Sequence, residues 1–134
     1  MLIGIPKLLS PELLKILCEM GHGDKLVIAD GNFPAASCAQ RLIRLDGHDA
    51  QSVLEAILKV FPVDGEPQVL QVMQTDDGHI PEIWRAYTGA FKSPVITEEI
   101  ERFRFYDLAR EAYCVVATSE AALYANLILT KGVI

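Results

Sequence analysis

Residues 10–32, SPELLKILCEMGHGDKLVIADGN, decide the fold class. Ser10 suits a helix N-cap, because its hydroxyl can accept from an amide of the first turn that has no partner of its own. Pro11 suits the first helical position, where a missing N–H costs nothing. Leu13, Leu14, Ile16, Leu17 and Met20 recur at helical spacing and form one apolar stripe. Gly21 is placed to end the helix in a left-handed conformation. KLVIA, residues 25–29, then reads as a short buried strand, closed by the turn Asp30-Gly31-Asn32.

The alternation continues outward. RLIRL, residues 41–45, reads as a strand, with Asp46-Gly47 as its turn. Residues 50–61 form a second helical pattern with Val53, Leu54, Ile57, Leu58 and Phe61 on one face, stopped by Pro62. Residues 69–73 are a further strand. Pro81 opens a third helix carrying Ile83, Trp84, Tyr87 and Phe91, which Ser93-Pro94 ends. Residues 98–112 fit two periods, and the reading is extended chain to about Glu101 and helix after it. YCVVA, residues 113–117, and NLIL, residues 126–129, are the last strands, with a turn or short helix between them. Strands interleaved with amphipathic helices predict one α/β domain over residues 1–134, a three-layer α/β/α sandwich. Several connections are too short for a parallel crossover, so the sheet is expected to be mixed, with five or six strands.

The chain of 134 residues is long enough to bury a core without disulfides or metal. It is 51% hydrophobic and 22% charged, which excludes disorder. The net charge is -6 and no Lys/Arg cluster interrupts it, which argues against nucleic acid and anionic membranes as partners. The apolar runs reach about half a dozen residues, against the roughly 20 that a membrane helix needs. No basic flank, apolar stretch and small-residue cleavage site follow one another at the N-terminus, so no secretory signal is read. The mean hydropathy of +0.25 calls for a generous core or for apolar surface hidden in an oligomer. Cys18, Cys38 and Cys114 are widely spaced and contain no C-x-x-C. They read as reduced thiols, two of them buried, in a reducing cytoplasm.

The common motifs of nucleotide binding and of serine hydrolases are absent. His22, His48 and His79 have no metal spacing to one another or to the cysteines, so no metal site is expected. A local constellation remains. His22 stands between Gly21 and Gly23, either as an exposed turn histidine or as an acid/base group that titrates near neutral pH. Asp30 is either a turn carboxylate or a ligand group outside the carboxyl end of a strand, where open α/β sheets bind. The two read to opposite ends of one strand, which favours a site shared between subunits. Arg102 either packs its stem on the core or offers its guanidinium to a ligand. Tyr124 and Asn126 are either turn and strand-entry residues or polar anchors for a hydroxylated ligand. Phe33-Pro34 either packs or faces the less polar side of a sugar ring.

Together these segments resemble the ribose pyranase / L-fucose mutarotase family, and its fucose branch most closely. The strongest stretches are SPELLK from Ser10, EMGHGD from Glu19, IADGNFPA from Ile28, FRFY from Phe103 and YANLIL from Tyr124, with KGV from Lys131. EMGH and Arg102-Phe103 point to fucose, whereas the triplet Tyr124-Ala125-Asn126 is shared by both branches. The resemblance implies the α/β fold of that family and a cofactor-free isomerase that interconverts the α and β anomers of a free sugar. L-fucose is the implied substrate, with D-ribose or another monosaccharide, or a non-catalytic sugar-binding role in uptake, as alternatives. It also implies a homo-oligomer, often a ring-shaped decamer, with sites at subunit contacts. Carried over residue by residue, it makes His22 the catalytic histidine. Asp30, Arg102, Tyr124, Ala125 and Asn126 become the substrate-binding residues.

Overall fold

The computed structural model describes residues 1–134. Its elements run α1 (Pro11–Glu19), β1 (Lys25–Ala29), α2 (Ala35–Cys38), β2 (Leu42–Leu45), α3 (Ala50–Leu58), β3 (Gln68–Met73), α4 (Glu82–Gly89), β4 (Val95–Ile100), α5 (Arg102–Glu111), β5 (Cys114–Thr118) and β6 (Leu127–Thr130). Side-chain caps fix three helix starts. Ser10 Oγ accepts from the Leu13 amide at 3.2 Å, and Asp49 Oδ1 from that of Ser52 at 2.7 Å. The Glu101 carboxylate accepts from the Phe103 and Arg104 amides at 3.0 Å each, which turns the end of β4 into the start of α5.

The six strands form one sheet in the order β2-β5-β1-β6-β3-β4. The pairs β2/β5, β5/β1 and β3/β4 are parallel, and β6 alone runs the other way, between β1 and β3. The mixed sheet predicted from the short connections is therefore present, and its reversed member is central. Alternation along the strands feeds two cores. Leu26, Ile28, Leu70 and Val72 pack with Leu13, Leu17, Leu54, Ile57, Trp84 and Tyr87 beneath α1, α3 and α4. Val27, Ala29, Val115 and Ile128 pack with Ala35, Phe105, Leu108 and Ala109 beneath α2 and α5. A fully buried Leu, Ile or Val contributes about 1.5–3 kcal/mol, so neither layer can be dispensed with.

Several details differ from the sequence reading, among them the third helix, which ends at Gly89 before Phe91. Gly21 does not carry the left-handed turn: α1 ends on extended Met20, and Gly23 has the positive φ of 88°. The second long helix stops at Leu58, although Phe61 remains buried. α2 was not foreseen, because one turn is too short to display a period. Cys38 and Cys114 are buried and Cys18 is exposed. Burial pushes the Cys114 thiol up to about 12, so it is no nucleophile.

Candidate active site

Because β6 lies antiparallel to β1, with Lys25 opposite Thr130 and Ile28 opposite Leu127, the residue after β1 meets the residue before β6. Those residues are Asp30 and Asn126. Asn126 Oδ1 accepts the Asp30 amide at 2.7 Å. Asp30 Oδ1 accepts the Asn32 amide at 3.0 Å. Burial pushes the Asp30 carboxyl above its usual range, and hydrogen bonds from Asn32, Phe33, Ala125 and Asn126 pull it partly back. Ala125 thus acts through its backbone.

Asp30 and Asn126 line a cavity of about 290 Å³ with Asn32, Phe33, Met73, Asp76, Arg102, Tyr106, Leu123 and Tyr124. Arg102 opens α5 and its Nε donates to Tyr106 Oη at 3.4 Å. Phe33 is buried against Phe105 and Tyr106, with ring centroids 5.9 and 5.6 Å away, yet still lines the cavity. Phe33 therefore packs, as one reading had it, and also presents an edge to the cavity. The charged head of Arg102 is exposed, and its guanidinium carbon lies 5.7 Å from the Tyr106 ring centroid.

Tyr124 has a φ of 55°, a conformation that costs a non-glycine residue free energy. α4 holds it there. Trp84 Nε1 donates to the Tyr124 carbonyl at 2.8 Å, and Tyr87 Oη donates to the Ala125 carbonyl at 2.7 Å. Burial pushes the Tyr87 phenol upward, so it remains a donor at any pH the protein meets. Tyr124 Oη accepts the Asp76 amide at 3.4 Å, and its ring meets the edge of His79 at 5.6 Å.

His22 is not in this cavity. It sits beyond the other end of β1, 60% exposed at its side chain, with Nε2 3.2 Å from Asp64 Oδ1. Around it lies an apolar hollow of about 530 Å³ that includes Ile5, Leu14, Leu17, Val60 and Pro62. The structure thus brings together Asp30, Arg102, Tyr124, Ala125 and Asn126 and leaves His22 apart, as the order of helix, turn and strand implied. Sequence reasoning missed Asp64, 42 residues from His22, for which no local signal exists. It also missed Tyr106 as a lining residue, although Tyr106 follows Arg102 at the i+4 spacing that shares a helix face. No group of three His, Cys, Asp or Glu side chains is placed to hold a metal.

Residues 3–134 match the model of the RbsD / FucU transport protein family. The chain belongs to this family. It is 45% identical to a fucose mutarotase of Danio rerio, over 98% of this chain and 93% of the relative. A solved fucose mutarotase in complex with L-fucose from Streptococcus pneumoniae is 44% identical, with a TM-score of 0.90 over 99% of each chain. Bacillus subtilis RbsD, solved with D-ribose, is 25% identical, with a TM-score of 0.76 over 94% of this chain and 95% of that one. Within the RbsD / FucU family the chain is therefore nearer to the fucose members than to that ribose-bound one.

Proposed function

We propose that the chain is an isomerase that interconverts the α and β anomers of free L-fucose. One observation carries this reading: a carboxylate, a guanidinium, a phenol and an amide, from Asp30, Arg102, Tyr124 and Asn126, converge on one half-apolar cavity outside the end of β1. That set suits a small polyhydroxylated ring, with acceptors and donors for hydroxyls and aromatic faces for its C–H side. The close likeness to fucose mutarotases supplies the sugar.

Mutarotation removes a proton from the anomeric hydroxyl and gives one to the ring oxygen. The ring opens, the C1–C2 bond rotates, and the ring recloses on the other face. His22 is the acid/base group, since imidazole exchanges protons near pH 7 in both directions, an effect that contributes about 10² to 10⁴-fold. The Asp64 carboxylate faces its Nε2 at 3.2 Å. Asp30 accepts sugar hydroxyls, and Arg102, Tyr124 and Asn126 hold the rest or an oxygen that gains charge. Because His22 and the cavity lie at opposite ends of β1, His22 serves the cavity of a neighbouring subunit, in a ring-shaped homo-oligomer such as a decamer. The apolar hollow around His22 is the surface that such a neighbour would cover. No helix is long and apolar enough to cross a membrane. The free thiols suit the cytoplasm.

Saturation-transfer NMR on equilibrated L-fucose and D-ribose tests the reading. Catalysed anomer exchange, faster on L-fucose, is the expected result. Sugar binding without exchange would make the chain a binding protein, and equal rates on both sugars would remove the fucose assignment.

A further inference from the structure

We infer that Lys131 is a positioning residue for His22, the residue that fixes where the imidazole is presented. This rests on the reading of His22 as the acid/base group. α1 ends without a basic residue in its last turn and without a left-handed glycine, so its final carbonyls need partners from elsewhere. Lys131 supplies them. Its Nζ donates to the carbonyls of Leu17 at 2.6 Å and Met20 at 2.5 Å. Its own amide donates to the Asp24 carbonyl at 2.8 Å, and its carbonyl accepts the Gly23 amide at 2.9 Å. One residue thereby grips the chain on both sides of His22.

The remaining bonds of the turn do not do this. Asp24 Oδ2 accepts the Gly21 amide at 2.8 Å, and the Gly21 carbonyl accepts the Asp24 amide at 3.1 Å. They close the turn on itself and tie it to nothing outside. With a glycine on each side and a side chain 60% exposed, His22 has little packing to hold it in place. The residues flanking Lys131 place its partner. The Thr130 carbonyl accepts the Asp64 amide at 2.9 Å, and Gly132 donates to the Pro62 carbonyl at 2.8 Å. A Cβ on Gly132 would come within 3.1 Å of Asp64 backbone atoms, so the two segments lie in direct contact. His22 and Asp64, remote in sequence, are both registered against residues 130–132.

The test is L-fucose anomer exchange by the full-length, assembled protein, read by saturation-transfer NMR in His22→Ala, Lys131→Met and the double variant. Lys131→Met keeps the length of the side chain and removes its donors. It is expected to lower the maximal exchange rate about tenfold or more, because misplacing a reacting group by about 1 Å can cost 10²-fold. KM for L-fucose should stay within about twofold, since the Lys131 ammonium is taken up by the Leu17 and Met20 carbonyls and holds no sugar hydroxyl. In a His22→Ala background the Lys131 substitution should add nothing, because groups that act as a unit do not lose activity independently. A wild-type maximal rate in Lys131→Met, a KM that rises in proportion, or losses that multiply in the double variant would each overturn the inference. If Lys131→Met does not assemble, Lys131→Gln, which retains a shorter donor, is judged by the same criteria. Wild-type exchange by His22→Ala would instead remove the reading of His22 itself.

Discussion

Asp30 accepts hydrogen bonds from its own protein before any sugar arrives, and burial still holds its carboxyl above the usual range. The sign of the consequence can be worked out. In its proposed role the ionised form is the acceptor for sugar hydroxyls, so affinity for L-fucose should weaken as pH falls through the raised value. KM would then rise by up to about tenfold per pH unit below it. Asp30→Asn should bind weakly already at neutral pH and show a flattened profile. Stability runs the other way. A carboxyl whose folded value exceeds its unfolded one binds more protons in the folded state between those two values, so its contribution falls as pH rises through that window. Thermal melts of Asp30→Asn and of the unliganded parent should diverge in the variant's favour from acid to neutral pH. A parallel pair of curves would refute this. His22→Ala should fold normally and lose anomer exchange by about 10²-fold or more.

α4 touches the cavity only through two carbonyls, yet it sets the left-handed Tyr124 in place. Tyr87→Phe leaves the Ala125 carbonyl buried without its donor, which costs about 1–3 kcal/mol. The expected outcome is a lower melting temperature and a raised KM for L-fucose, with the maximal rate less affected; a kinetically silent variant would separate α4 from the site. What could be read from the sequence also divides by element. α1 and β1 were legible because a cap, a stripe and an apolar run occur in succession. The switch from β4 to α5 was legible as a change of period near Glu101. α2 was not, and neither was the buried face of α5. There Phe105, Leu108 and Ala109 face inward while Phe103 is exposed, a choice made by contact with β1 and β5 rather than by local pattern. Asp30, Arg102, Tyr124 and Asn126 could be found as polar residues at strand and helix ends. Ala125 works through its amide and carbonyl, about which its side chain says nothing.

For the whole molecule, the proposed role of His22 in a neighbour's cavity would make assembly part of the chemistry. Dilution below the dissociation of the oligomer should abolish exchange, and an active monomer in sedimentation would rule out the shared site. Refolding His22→Ala together with Asn126→Ala should restore part of the activity, because some cavities then receive both intact residues from different chains. No recovery in verified mixed oligomers would place both groups in one chain. The sheet order bears on biosynthesis as well. β6 is the latest strand in sequence and the one that stands between β1 and β3. Until a ribosome has made it, the nascent polypeptide can form only two separate half-sheets, β2-β5-β1 and β3-β4, each with a bare, largely apolar inner edge, KLVIA in β1 and QVLQVM in β3. Such edges are templates for pairing with other chains. A polypeptide stalled before Leu127 would therefore be a client for holdase chaperones or a seed of aggregation, not a partly working enzyme.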